Sequence, residues 1–243
     1  MMMFSSDLRI FVISAWLLLL STVSHADLIT TATDITNPTV IDFRQFAQSE
    51  DFIFTAGPVQ IGGLVGENIQ WSTTNALSVI GNGRHGLTAN GVWNSGRNGY
   101  TALNAGPPNT MRYDFIGFTV SNVGGFLNYG TNSARNVAPI IEALDINDIV
   151  LESYNLELLA PIVTPSSFNE GAFRGISRLS SDIAAFRVGN NNFVLDDLTF
   201  SGISRTVTAP PDPIPEPSTM LLFGTGLLVM MLYVWRRERL QQS

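Results

Sequence analysis

The sequence predicts an all-β fold, an antiparallel β-sandwich of jelly-roll type, set between two terminal segments of a different character. Three observations carry this. Short runs rich in Val, Ile, Phe and Thr recur between Gly- and Asn-containing turns across residues 39–204. No apolar pattern of helical period there extends beyond about ten residues. Charged residues make up only 14% of the chain while glycine numbers 21, the profile of an exported β-protein with many turns. A closed barrel is the alternative arrangement of the same strands.

Thr39, Val40, Ile41, Asp42 and Phe43 open the predicted domain, followed by strands over 69–72 and 77–80. Residues 111–120 alternate loosely and run through a turn at Gly124-Gly125 into 126–129 as a hairpin-like pair. Residues 139–144 and 149–156 flank Asp145-Ile146-Asn147-Asp148, a sequence that favours a tight turn and hence a hairpin. Residues 183–188 and 193–200 flank Gly189-Asn190-Asn191-Asn192 and read as a second hairpin.

The N-terminal segment 1–26 reads as a signal peptide. Arg9 is its positive region, residues 10–20 form an apolar core of eleven, and Ser24-His25-Ala26 offers small residues to a signal peptidase. Cleavage after Ala26 leaves Asp27 first, with 27–38 as an N-terminal segment ahead of the sandwich. The apolar core is too short to span a hydrocarbon layer of ~30 Å, which argues against a retained anchor.

The C-terminal segment begins with a proline-rich linker over 205–214, stiff because proline fixes φ. Pro215-Glu216-Pro217 follows, then Ser218 as a helix N-cap. Residues 218–235 are uncharged and mostly apolar, about 27 Å of helix at ~1.5 Å per residue, just enough to span a bilayer. Tyr233 and Trp235 suit the far interface. Arg236, Arg237 and Arg239 fix that side as cytoplasmic, with 236–243 a basic tail. The expected topology is single-pass in the inner membrane with an exported ectodomain.

Pro215, Glu216, Pro217, the helix with Gly224 and Gly226, and Arg236-Arg237 together resemble the PEP-CTERM sorting signal. The resemblance implies recognition by an exosortase, a membrane protease, then removal of the helix and transfer to the cell surface or extracellular matrix. It implies a Gram-negative, exopolysaccharide-producing host. Gly124-Gly125-Phe126, the stretch from Ala143 to Tyr154 and the run from Val194 to Phe200 resemble the β-sandwich ectodomains that often precede this signal. The alternative for the C-terminus is a simple tail anchor.

Composition excludes several functions. There is no cysteine, so disulfides, thiol catalysis and thiolate metal sites are ruled out and the domain must be held by burial. Between positions 27 and 217 stand 18 acidic residues against 9 arginines, with no lysine, a balance that repels nucleic acid. Only His85 remains after signal removal, which excludes a multi-histidine metal site.

Within the exported domain, residues 81–108 form a long Gly/Asn-rich stretch. Trp93 and Tyr100 could stack on sugar faces while Arg84, Arg97, Asn94 and Asn98 bond hydroxyls, a glycan-binding set. The competing reading tucks both rings into a satellite core. Asp42, Asp196 and Asp197 are candidate oxygen ligands for a structural Ca²⁺. Against this stands one inward Asp bonded to backbone and one exposed. No other cofactor is implied. A glycosidase would need two carboxylates across a cleft, yet Glu142, Asp145, Asp148, Glu152 and Glu157 crowd one predicted hairpin and its flank. The expectation is a non-enzymatic envelope or matrix protein whose partners are an exosortase-like protease and the lipid bilayer. An exopolysaccharide-binding module is the alternative, and a hydrolase comes third.

Overall fold

A computed structural model describes residues 26–47, 53–94, 99–104, 108–130, 137–165 and 168–205. The expected signal segment up to residue 25, Pro215-Glu216-Pro217, the expected helix 218–235 and Arg236, Arg237 and Arg239 lie outside the described residues, as do Arg97 and Asn98.

In chain order the strands begin with β1 (Ala26–Ile29), β2 (Thr39–Ile41), β3 (Ile53–Phe54), β4 (Val59–Gln60) and β5 (Ile69–Thr73). Next come β6 (Val79–Gly81), β7 (His85–Gly86), β8 (Val92–Trp93), β9 (Tyr100–Leu103) and β10 (Thr110–Phe115). Then follow β11 (Phe118–Thr119), β12 (Asn122–Tyr129), β13 (Ile140–Leu144) and β14 (Val150–Asn155), which leads into a one-turn helix α1 (Leu156–Leu159). The last are β15 (Phe168–Asn169), β16 (Ala172–Arg178), β17 (Ala185–Gly189), β18 (Phe193–Ser201) and β19 (Ser204–Arg205).

Two antiparallel sheets face each other. The first has the order β1-β16-β12-β18-β9-β6-β3, with β2 also on β18; the second has the order β14-β13-β17-β10-β5-β4. From β9 onward the chain alternates between the sheets, so most links arch across the sandwich ends. Between the sheets, Trp71, Tyr113, Phe186 and Val188 meet Leu103, Leu127, Leu195 and Phe200 in one apolar core. Phe115 packs on Phe200 with ring centroids 5.3 Å apart, and the hydroxyls of Thr101 and Tyr113 share a hydrogen bond of 2.5 Å across the layers. Each sheet keeps open edges, which sets this fold apart from the barrel alternative.

The second sheet has a clean alternation. Tyr113 points to the core, while Arg112 and Asp114 lie on the outer face. That face is laced with ion pairs, Arg112 with Asp114 at 2.6 Å and Arg187 with Glu142 at 2.6 Å. The first sheet is different, because its outer face is apolar as well and is itself covered. Ile29, Ile35 and Phe173 form a small cluster under the turn between β1 and β2, and a second cluster lies under residues 82–94.

Three expectations change. Among the described residues the first sheet already includes Ala26, ahead of the expected start at Thr39, because β1 adds an edge strand to β16 with Leu28 opposite Ile176. Cleavage after Ala26 would leave most of β1 in place. Residues 183–200 do not form a hairpin: β17 lies in the second sheet, β18 in the first, and 190–192 bridge the sandwich. The 139–156 hairpin does form, with Ile141 opposite Tyr154.

The third change concerns Gly124-Gly125, which sits inside β12 and makes no turn. Gly124 lies opposite Gly175 of β16. A Cβ on Gly124 would stand 2.6 Å from the Arg174 carbonyl oxygen, and one on Gly175 would stand 2.5 Å from that of Val123. The glycines let two backbones approach closely in mid-sheet. Gly175→Ala is therefore expected to destabilise the fold by roughly 2–4 kcal/mol in urea denaturation. Gly63→Ala, where a Cβ meets open space, should stay within about 0.5 kcal/mol of wild type.

Candidate functional site

The stretch singled out by its Gly/Asn content folds as a flap on the first sheet. β7 pairs antiparallel with β8, and β15 joins β8 in parallel, Phe168 opposite Val92 and Asn169 opposite Trp93. Strands of two residues cannot hold themselves, so side chains do the fastening. Asn90, almost wholly buried, has its Nδ2 within 2.7 Å of Asn128 Oδ1, 3.0 Å of the Tyr129 carbonyl and 2.9 Å of the Ile162 carbonyl. Its Oδ1 accepts from the Thr164 backbone N–H at 2.7 Å. Asn128 Nδ2 in turn donates to Asn169 Oδ1 at 2.6 Å. This buried amide network ties the flap, β12 and the segment after α1 together, and each member's polar atoms are largely satisfied.

Beneath the flap, Trp93 and Tyr100 are buried with Leu87, Val79, Ala102 and Val194. Their rings meet edge to face, centroids 6.4 Å apart, and His85 meets Tyr100 in the same way at 6.4 Å. The satellite-core reading of these two aromatics thus describes their packing, and neither ring offers a face to a sugar. Burial pushes the Tyr100 hydroxyl well above its ordinary range. His85 Nε2 and Trp93 Nε1 are buried with no hydrogen-bond partner among the described residues.

Of the expected glycan set, Arg84 and Asn94 are exposed on the flap surface. Arg84 stacks over the ring of Phe168, 4.6 Å from its centroid, and that ring is itself largely exposed. Phe168 was not among the candidates. Its run, Ser166-Ser167-Phe168-Asn169, carries no motif, and only the parallel pairing of β15 with β8 brings it beside Arg84.

The three aspartates divide. Ile41 pairs with Leu198, so Asp42 and Asp197 occupy adjoining positions on β2 and β18. Asp42 Oδ1 accepts from the Arg44 N–H at 3.2 Å. Asp196 is fully buried and its Oδ1 accepts from the Asp197 N–H at 2.7 Å. Among the described residues no group of three His, Cys, Asp or Glu is arranged to hold a metal ion, so the calcium expectation finds no ligand set there. A cleft of about 120 Å³ beside them, lined by Ile41, Asp42, Arg44, Gln45, Ile61 and Val65, is smaller than the usual small-molecule site of roughly 300–1,000 Å³.

Four of the five carboxylates considered for hydrolysis are engaged elsewhere, while Glu157 lies in the first turn of α1. Glu142 pairs with Arg187 and accepts from Ser153. Asp145 accepts the backbone N–H groups of Asn147 and Ile149, and Asp148 pairs with Arg112 at 2.5 Å. Glu152 shares Arg178 with Asp182.

Fold and chain order define a β-sandwich ectodomain followed by a C-terminal sorting segment. Residues 213–238 match the PEP-CTERM protein-sorting motif, so the chain carries the signal of an exported protein that is sorted by an exosortase. No match is found among curated proteins. Among solved structures, the chain is similar to the tandem CBM51 modules of Sp3GH98, the family 98 glycoside hydrolase from Streptococcus pneumoniae SP3-BS71. The TM-score is 0.32 at 14% identity, covering 72% of this chain and 47% of that one. The chain spans about half the length of that structure, and at this TM-score the likeness carries no argument. No helix among the described residues is long and apolar enough to cross a membrane.

Burial lowers the pKa of His85 from 6.5 to about 4, so the folded state holds it neutral. The unfolded chain takes up a proton near pH 6.5 that the folded chain refuses until about 4. Stability should therefore be level above that window and fall through it as pH drops, by about 3 kcal/mol at most. In His85→Phe this component disappears. Urea midpoints compared at neutral pH and near pH 5 should show a smaller drop for the variant than for wild type.

Proposed function

We propose that this protein is a non-enzymatic component of the cell envelope or extracellular matrix, exported by its N-terminal segment and sorted through its C-terminal one. The observation that carries the reading is the sorting motif at 213–238, placed after a compact β-sandwich whose described part ends at Arg205. Residues 218–235 hold the protein once through the inner membrane, with 236–243 cytoplasmic. An exosortase-like protease acts near Pro217. The ectodomain, jelly-roll-like in the way its strands alternate between sheets, is the cargo delivered to the surface or matrix. Its non-enzymatic character is supported by four of the five candidate carboxylates being committed to ion pairs and turns.

The test is mass spectrometry of the mature protein's C-terminus in its host. A terminus close to Pro217 is expected for wild type, and Glu216→Ala should accumulate a form that keeps residues 236–243. An intact tail in wild type at steady state would mean a permanent tail anchor instead.

One observation favours a second reading, attachment to exopolysaccharide. Phe168 presents an exposed aromatic ring, backed by the Arg84 guanidinium and flanked on the flap by Asn94. An apolar ring beside polar donors suits a sugar, whose C–H face is apolar and whose rim is polar. On this reading, binding on a polysaccharide array is lost in Phe168→Ala and weakened in Arg84→Ala. Trp93→Ala would damage folding before it altered any contact with the ligand. Absence of binding to every polysaccharide would remove the reading.

A further inference from the structure

An asparagine followed by glycine is prone to lose its side-chain amide without any enzyme. The main-chain nitrogen of the glycine attacks the asparagine side-chain carbonyl, and no side chain on the glycine crowds that nitrogen. This chain has three such pairs, all between β6 and β9: Asn82-Gly83, Asn90-Gly91 and Asn98-Gly99. The fold sets the first two in opposite conditions.

Asn90 is 1% exposed. Its Nδ2, the group that would have to leave, lies within hydrogen-bond distance of three oxygens, and its Oδ1 accepts from the Thr164 N–H at 2.7 Å. The Gly91 nitrogen, which would have to attack, donates to the Thr88 carbonyl at 3.4 Å. Turning the Asn90 side chain towards that nitrogen would break the network that fastens the flap. Asn82 is exposed in the link between β6 and β7, where no strand holds it. Among the described residues neither its side chain nor the Gly83 N–H has a hydrogen-bond partner.

We propose that Asn82 is a site of spontaneous deamidation in the folded protein, and that the buried amide network protects Asn90 from the same reaction. The Gly83 nitrogen gives up its proton and bonds to Asn82 Cγ. The Cγ–Nδ2 bond breaks, and Nδ2 leaves as ammonia with that proton. The product is a five-membered imide. Water then opens one of its two carbonyl–nitrogen bonds. One opening leaves aspartate at position 82; the other leaves isoaspartate, with the main chain rerouted through the former side chain. Water is the sole co-reactant, and nothing is oxidised or reduced.

The product puts a new carboxylate two residues from Arg84, whose guanidinium lies over the ring of Phe168. Isoaspartate also lengthens the main chain by one carbon in the link that leads to β7. Because ammonia leaves, the change runs one way, and the oldest molecules carry the most of it. The exposed surface of the flap thus alters with time while the network that fastens it does not. The inference stands apart from both functional readings, since it needs neither the C-terminal anchor nor a bound glycan.

Arg44, Arg84, Arg97 and Arg112, in a chain without lysine, place the three pairs on separate tryptic peptides, 45–84, 85–97 and 98–112. The folded full-length protein is held in detergent at mildly alkaline pH, sampled over time and digested, with a zero-time sample to correct for conversion during digestion. Mass spectrometry then reads the amide-to-acid change in each peptide. Asn82 is expected to convert at least about tenfold faster than Asn90, whose release requires several hydrogen bonds to open. In urea the two rates should converge. Gly83 has φ 141°, so replacing it would strain the link, and Asn82 is the residue to vary. Asn82→Gln, whose longer side chain closes the ring far less readily, should abolish conversion in 45–84. The assignment is overturned if 45–84 stays unconverted in the folded protein, if Asn82→Gln leaves its conversion unchanged, or if 45–84 and 85–97 convert at equal rates. Rates that stay apart in urea overturn the protection of Asn90 by the fold.

Discussion

The first sheet is buried on both of its faces, and the rest of the molecule is arranged around that requirement. Its inner face meets the second sheet, as in any sandwich. Its outer face carries Val79, Tyr100, Ala102, Phe126, Phe173 and Val194, too much apolar area to leave in water at roughly 25 cal/mol per Å². Two coverings meet the demand, the short turn after β1 and the flap of β7, β8 and β15. A domain without disulfides gains in this way a second layer of burial that an ordinary sandwich of its size lacks.

The covering then decides what is left for binding. Trp93 and Tyr100 are spent on burial, and the flap that holds them is fastened by Asn90, Asn128, Thr164 and Asn169, whose amides and hydroxyl bond one another and the backbone. Such a network is costly if any member is unmatched, so it fixes the flap in one position. What stays outside is the flap's upper surface, where Arg84 lies against Phe168. The second sheet needs no cover, because its outer face alternates to polar residues and its charges pair across strands.

The two ends of the sandwich differ in consequence. One gathers both limits of the described domain, Ala26 and Arg205. The flap and the α1 segment, with the exposed Phe168, are displaced from it.

Much of this was legible in the residues. Short β-branched runs, turn residues and low charge predicted an antiparallel all-β domain, and the Asp/Asn turn at 145–148 placed one hairpin correctly, because local turn chemistry determines such pairs. The proline-flanked glutamate, apolar run and arginines likewise pointed to a sorting signal without any fold. Non-local choices were not legible. Gly124-Gly125 reads as a turn in sequence, yet serves close strand approach because Gly175, fifty residues on, lies opposite. Gly189 to Asn192 reads as a hairpin turn, yet joins two sheets because β17 and β18 each find better-matched partners elsewhere. Trp93 admits both a ligand-platform and a core reading in sequence, with the core favoured, and the apolar outer face of the first sheet is what the core reading needed. Periodicity and turn propensity act over a few residues and so are written locally, whereas which face is covered, and by what, depends on strands far apart in the chain that meet only once the sheets have formed.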